Sequence, residues 1–292
     1  MFEEEEEQLT IYDAIISLAG TSDGEMVNKL DGFLTGEMKI RPINFISDIM
    51  TMLLDEDIPQ INCFYLLVHL SNAISTRTQQ IGFFVNQWEK IITRVAQNIE
   101  LPEESELKDI VDNIHSRLIR LLNEEKKEIR QNASLCISRL FYIEAELNLW
   151  DDFFPSIFDT IQNTSNNINL IDSCFIILIY LLESQVIQPK MPDFENIISN
   201  IYDTLKIYIS NPSIDVNIRI SCLRMNSESH YMLDEFFNQE EELNGYVEFL
   251  LLNLRDIQNK DVHHLVYELL KKTFARHIEK MLDLMEKIFQ VV

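Results

Sequence analysis

Amphipathic helical segments follow one another along this chain, and residues that interrupt helices are few. The segment after Pro42 places apolar residues at i, i+3, i+4 and i+7, as on one face of a helix, at Ile46, Ile49, Met50 and Leu53. The whole chain of 292 residues includes only 6 glycines and 7 prolines, fewer turn residues than a doubly wound or all-β protein needs. The sequence therefore predicts an all-α protein.

The helical stripe recurs in later segments, which form pairs. It spans 153–161 after Asp151-Asp152, 194–205 after Pro192-Asp193, and 278–289; acidic residues favour a helix N-terminus. Second helices are predicted between these first helices, at roughly 58–74, 126–143, 166–184, 214–232 and 259–273. The sequence thus alternates first and second helices.

The helix pairs repeat with a period. Successive first helices are marked by Asn148, Asp193, Glu240 and Arg276, 36 to 47 residues apart, the range of HEAT and armadillo repeats. Two second helices open with an Ile-Arg pair, at 129–130 and 218–219, 89 residues or two periods apart. An arginine there, with an acidic residue at the turn, can bond neighbouring repeats in a ladder. We predict a right-handed superhelical solenoid of six to seven HEAT repeats, built from antiparallel helix pairs.

The predicted solenoid occupies residues 1–292 as a single domain with one interruption. Residues 75–104, which include Gln87-Trp88-Glu89-Lys90, exceed a turn and are interpreted as an extra helix or ordered insertion. The chain ends with Ile288 to Val292, which is largely apolar where a solenoid needs a polar cap. We therefore expect a fragment of a longer protein. We also expect this chain to be a monomer.

Charge limits the partners and the compartment. With 48 acidic and 24 basic residues the formal net charge is −24, which argues against nucleic acid and favours basic proteins or solubility alone. The acidic start, Met1 to Glu7, lacks the basic residues of secretory and mitochondrial signals. The most apolar stretch, Cys174 to Leu182, is far shorter than the ~20 residues of a membrane span. We expect a soluble intracellular protein that does not enter a membrane.

Catalytic and metal motifs are missing from the sequence. It has no phosphate-binding glycine loop and no H-E-x-x-H zinc motif. His263 and His264 are interpreted as a solvated pair, and Asp55–Asp57 and Glu240–Glu242 as charges at helix junctions. The four cysteines show no CxxC spacing and are expected to be reduced thiols buried on second helices: Cys63, Cys136, Cys174 and Cys222. We predict no enzyme activity, no cofactor and no metal site.

Several segments resemble the importin-β (karyopherin-β) family. Residues 148–157, with Asn148, Trp150 and Pro155, resemble the N-x-W-P-E-L-I-P-x-L stretch that opens the family's fourth HEAT repeat. Residues 132–140 are similar to the small-residue second helix before it, 75–80 to the family's S-K-D…Q-Q-x-W region, and 272–289 to the sixth and seventh repeats. The resemblance extends from about residue 8 to the C-terminus.

This resemblance implies a nuclear transport receptor that mediates protein import. The chain would be its N-terminal fragment, with the first six repeats and half of the seventh. Implied partners are Ran in its GTP form and Phe-Gly nucleoporins. The site for importin-α or basic cargo would lie mostly in later repeats. The implied location is the cytoplasm, the nucleus and the nuclear pore.

The resemblance also implies particular binding residues. Asn72 and Arg77 in the second repeat would contact Ran, although Ser71 replaces the family's lysine in I-K-N-x-L. Both are equally consistent with solvated helix ends. Nucleoporin phenylalanines would enter a groove between the first helices of repeats five and six, formed by Ile198, Ser199, Tyr202, Tyr246 and Val247.

Core packing is the alternative for the groove residues, because Ile198 and Tyr202 adjoin the core stripe. We expect Ile198 in the core. Tyr202 and Tyr246 are expected to be partly exposed beside a shallow depression, since tyrosine hydroxyls favour a wet edge.

A HEAT-repeat scaffold that assembles other proteins, of the phosphatase-scaffold or coat-adaptor type, is the alternative function. Repeats of variable length favour the receptor.

Overall fold

The computed structural model describes residues 9–74, 78–99, 107–163, 167–211, 213–254 and 259–281, without the side chains of 78–81. Regular structure in these ranges is entirely helical, which confirms the all-α prediction for the described part of the chain. None of the helices in these ranges has the length and hydropathy that a membrane span requires. The chain divides into two compact units, residues 1–151 and 152–292. The prediction of one continuous solenoid stays a prediction.

Seven helices are described in unit 1. They are α1 (Ile11–Gly20), α2 (Gly24–Ile40), α3 (Pro42–Leu54), α4 (Gln60–Ala73), α5 (Thr78–Asn98), α6 (Leu107–Leu121) and α7 (Lys127–Ala145). Helix α3 pairs with α4 and α6 pairs with α7, while α3 packs on α6 and α4 on α7. The region 75–104, predicted to hold an insertion, contains α5 in its described part, and α5 packs mainly on α3.

Unit 2 shows the repeat pattern most clearly. Its helices are α8 (Phe153–Asn163), α9 (Ile168–Glu183), α10 (Phe194–Ile209), α11 (Val216–Ser229), α12 (Asp234–Phe237), α13 (Glu240–Leu254), α14 (Lys260–Arg276) and α15 (Ile278–Met281). The first helices α8, α10 and α13 contact in that order, and so do the second helices α9, α11 and α14. Such nearest-neighbour stacking is the packing of a HEAT solenoid.

Local capping explains where several second helices begin. The Asp215 side chain accepts hydrogen bonds from the main-chain N–H groups of Asn217 and Ile218 at the start of α11. Asn259 does the same at α14 and Asn167 at α9. Side-chain acceptors satisfy N–H groups that a first helical turn leaves unpaired.

The repeated Ile-Arg pairs have equivalent structural positions. Arg130 donates to the main-chain carbonyls of Glu124 and Glu125, at 2.8 and 2.9 Å. Arg219 likewise donates to the Ile214 carbonyl before its helix, and also to the Asn253 side chain on α13 at 3.2 Å. Both arginines are buried. Arg219 therefore bonds one repeat to the next, as the ladder prediction requires.

All four cysteines are free, buried and placed on the second helices α4, α7, α9 and α11, as predicted. The Cys136 thiol on α7 donates to the Leu67 carbonyl on α4. Burial raises the pKa of Cys136 and of Cys174 to about 12. These thiols are therefore protonated at neutral pH and pack as small apolar groups.

Candidate functional site

The predicted groove residues lie on neighbouring first helices of unit 2. Tyr202 is on α10 and Tyr246 on α13, and these two helices are in contact. Their side chains are nevertheless buried, with 3% and 2% of their surface exposed. The expected partial exposure of both rings is therefore wrong.

A short helix that the sequence pattern did not reveal accounts for this burial. A 3-10 turn at His230–Met232 leads into α12, which carries Phe236 and Phe237. The Phe236 ring stacks on Tyr202 with 4.7 Å between centroids, and the Phe237 ring lies 4.6 Å from that of Tyr246. Helix α12 has only four residues, too few to show a helical period. Two adjacent phenylalanines were its one visible signal.

The Tyr202 hydroxyl has an ionic partner on the neighbouring helix. It donates to the Glu242 carboxylate at the start of α13, with 2.5 Å between the oxygens. Lys206 Nζ lies 3.1 Å from the same carboxylate and 4.3 Å from the centroid of the Tyr202 ring. Burial and the bond to Glu242 raise the pKa of Tyr202, while that bond lowers the pKa of Glu242. These three residues lie at the seam between α10 and α13, and we call Tyr202, Lys206 and Glu242 the seam clasp.

Tyr246 is held by a polar cluster in the core. Its hydroxyl accepts from the Asn226 side chain on α11, at 2.7 Å. Nearby, His230 Nε2 lies 2.9 Å from the Thr273 hydroxyl on α14. Burial lowers the pKa of His230 to about 4, so its imidazole is neutral at neutral pH. The first contact joins α11 to α13, and the second joins the 3-10 turn after α11 to α14.

The seam between α10 and α13 is filled by side chains. It is lined by Tyr202, Leu205, Lys206, Ile209, Tyr246 and Phe249, and it has no room for a water molecule. Ile198 is buried, as expected, and Val247 is buried with it, while Ser199 is partly exposed. The predicted shallow depression is thus closed in this structure, because the wide apolar stripe of α10 packs against α13. The nucleoporin role of the five residues stays a prediction.

The predicted Ran-binding residues belong to unit 1. Asn72 is exposed near the end of α4, and Arg77 lies outside the described residues. Ser71 is buried: its hydroxyl donates to the Val68 carbonyl, and its own carbonyl accepts from Arg139 on α7. Of the two predicted Ran-binding residues, Asn72 is therefore the one that the structure shows exposed to solvent.

The second-helix side of unit 2 carries the remaining candidate groups. His263 and His264 are both exposed, as expected of a solvated pair, and with Lys260 and Tyr267 they line an open depression of about 350 Å³. Lys272 on α14 donates to the carbonyl and hydroxyl of Ser227 on α11. Among the described residues, no three metal-ligating side chains come together.

Comparison with solved structures finds the same fold in importin-β. Kap95p, in a structure concerned with its binding to RanGDP, has a TM-score of 0.71 and 15% identity, over 95% of this chain and 30% of that chain. Yeast importin-β (Kap95p) has a TM-score of 0.69 and 14% identity, over 95% of this chain and 31% of that chain. A Kap95:Nup1 complex gives a TM-score of 0.67 and 14% identity, over 95% of this chain and 31% of that chain. No protein-family model and no curated protein matches the sequence.

The chain therefore has the HEAT-repeat fold of importin-β, and the predicted resemblance is confirmed at the level of structure. It spans just under a third of the length of the proteins it matches, 30 to 31%.

Proposed function

We propose that this chain is part of a nuclear transport receptor of the importin-β type. The observation that carries the proposal is the structural likeness to Kap95p over 95% of the chain. The proposed partners are Ran in its GTP form and Phe-Gly nucleoporins, with importin-α or basic cargo held mainly by repeats beyond these. The protein would act in the cytoplasm, the nucleus and the nuclear pore, as a binding protein without enzymatic activity.

The row of second helices in unit 1 supports a protein partner rather than a small ligand. Helices α4 and α7 pack side by side, and Asn72 is exposed at the end of α4. Extended helical faces of repeat proteins bind other proteins. We place the contact with Ran on this face, with Asn72 within it.

Substituting Asn72 tests this placement. In calorimetric titration with GTP-loaded Ran, Asn72→Arg should weaken binding by about tenfold or more, because a bulky charge at a packed interface costs at least ~1.4 kcal/mol. The matched control is Asn196→Arg, an exposed asparagine on the first helix α10, which should bind like the unmodified chain. Equal loss in both variants, or no loss in either, would contradict the placement.

Nucleoporin binding would require the seam between α10 and α13 to open. The side chain of Lys206 covers the Tyr202 ring and is 37% exposed, so it is the group that a phenylalanine would displace. Lys206→Ala should therefore strengthen binding of a Phe-Gly peptide, whereas Lys190→Ala, at an exposed site on the loop before α10, should not. Absence of peptide binding in every variant would remove this seam as the site.

A HEAT-repeat scaffold is the second candidate function. The closed seam favours it, because the slot expected of a nucleoporin receptor is filled by core side chains. A scaffold would bind its partners without regard to the nucleotide on Ran, which separates the two functions experimentally.

A further inference from the structure

Helix α14 is the most positively charged of the helices that the structure describes. Between Lys260 and Arg276 it carries four lysines and arginines against two acidic residues, a net charge of 4 − 2 = +2, and also two histidines. Helix α13, which packs on α14, has four acidic residues and no basic one. The whole chain has a net charge of −24. Helix α14 is therefore a local excess of positive charge in an acidic protein.

Much of this charge lies on the face of α14 that points away from the core. At about 3.6 residues per turn, positions i, i+3, i+4, i+7 and i+11 of a helix share one side. Counted from Lys260, that side holds five exposed residues, which we call the basic stripe: Lys260, His263, His264, Tyr267 and Lys271. The opposite side of α14 is buried and carries Val262, Val266, Leu269, Leu270 and Thr273. The basic stripe therefore has no part in the packing of the repeats.

The basic stripe has the size of a short peptide. Its N-terminal part forms an open depression of about 350 Å³, lined by Lys260, His263, His264 and Tyr267. The Tyr267 side chain is 58% exposed, so an apolar ring lies among the cationic groups. Lys260 and Lys271 are 11 positions apart in the sequence, which is about 16 Å along a helix axis. An extended peptide of about five residues covers that distance.

The acidic residues of α14 leave the stripe mainly positive. Asp261 lies in the first turn of the helix, where a carboxylate compensates the helix dipole. Glu268 lies beside the stripe, with its carboxylate 3.6 Å from Lys271 Nζ. An exposed ion pair of this kind contributes little to stability. Lys271 can therefore exchange Glu268 for the carboxylate of a bound partner.

We propose that the basic stripe of α14 binds an acidic peptide segment of a partner protein. The two lysines attract its carboxylates, the two histidines donate ring N–H groups to them, and Tyr267 contacts the methylene groups between them. The net charge of the chain does not prevent this, because at physiological ionic strength charges more than about 8 Å away are largely screened. This site goes beyond the proposed receptor function, since it requires neither Ran nor nucleoporins.

Charge reversal at the two ends of the stripe tests the proposal. Fluorescence anisotropy at about 0.15 M salt measures binding of a labelled peptide of six glutamates to the whole chain. A Lys260→Glu, Lys271→Glu double variant should bind this peptide at least about tenfold more weakly, because two attractive charges become repulsive. The matched control is Lys29→Glu with Lys39→Glu, at two exposed positions of α2. It changes the net charge equally and should bind like the unmodified chain, whereas equal weakening in both double variants would rule out the stripe.

Substitution of Tyr267 tests the stripe without changing any charge. Tyr267→Ala should weaken binding of the six-glutamate peptide by about threefold or more, while Tyr267→Phe, which keeps the ring, should bind nearly as well as the unmodified chain. A peptide of six glutamines should not bind. Helical circular dichroism should be unchanged in every variant, because all of these side chains are exposed. If the folded, unmodified chain does not bind the six-glutamate peptide, or binds a six-nucleotide single-stranded DNA equally well, the assignment to an acidic peptide is wrong.

Discussion

The Tyr202 hydroxyl on α10 donates a hydrogen bond to the Glu242 carboxylate on α13. With Lys206 beside the same carboxylate, this seam clasp joins the first helices of two adjacent repeats. It closes the position where the sequence predicted an open slot. Tyr202, which was expected to bind nucleoporins, is therefore in this structure part of what holds two repeats together.

Removing either tyrosine hydroxyl should reduce stability. Tyr246→Phe leaves the buried Asn226 amide without its acceptor and should lower the free energy of unfolding by about 1 to 3 kcal/mol. Tyr202→Phe should cost about 1 to 2 kcal/mol, because Glu242 retains Lys206. Urea unfolding measures both. Tyr267→Phe, an exposed control at 58%, should change stability by less than about 0.5 kcal/mol. If Tyr202→Phe and Tyr246→Phe also change stability by less than about 0.5 kcal/mol, the result would contradict the clasp and the core cluster.

Helix α12 should contribute to the core through Phe237. Its ring is fully buried against those of Tyr202, Tyr246 and His230, so Phe237→Ala should cost about 3 to 5 kcal/mol. Phe236→Ala is the matched comparison, because Phe236 is partly exposed and should cost clearly less. Equal effects on the unfolding midpoint would show that α12 does not pack as described.

The buried His230 should make stability depend on pH. Its folded pKa is about 4 against 6.5 for the free side chain, so the unfolded chain binds this proton more tightly. Its contribution is complete above about pH 6.5 and is lost as pH falls towards 4. Between pH 7 and pH 5 we expect His230 to account for a loss of about 2 kcal/mol in unfolding free energy.

Two substitutions isolate this effect in urea unfolding at both pH values. His230→Gln should remove the part of the pH dependence due to His230, whereas His264→Gln, at an exposed site, should keep it. Identical pH profiles for the two variants would show that His230 is not the group responsible.

The buried thiols should resist modification in the folded protein. Burial raises the pKa of Cys136 and Cys174 to about 12, and the thiolate is the reactive form. Iodoacetamide at pH 8, followed by mass spectrometry, should label these two cysteines slowly in native conditions and quickly in urea. Rapid native labelling of either would contradict its position in the core.

Helical periodicity predicted the pairing of helices and the cysteine positions, because both depend on which face of each helix is apolar. It did not predict the closed seam. Tyr202 is covered by Phe236 from a helix without a readable period, and no sequence pattern shows which side chains fill a gap. Trp150 was identified from the family-like segment 148–157, but its stacking partner His115 lies on another helix. Likewise, Arg130 was identified from its repeat, while its acceptors are main-chain carbonyls, which every residue has.

Calorimetric titration of the unmodified chain with Ran, loaded with GTP or with GDP, tests the proposed function most directly. A nuclear transport receptor should bind the GTP form at least about tenfold more tightly, a difference of ~1.4 kcal/mol in binding free energy. Equal affinity for the two forms, or no binding to either by a folded chain, would contradict the receptor function and favour a scaffold.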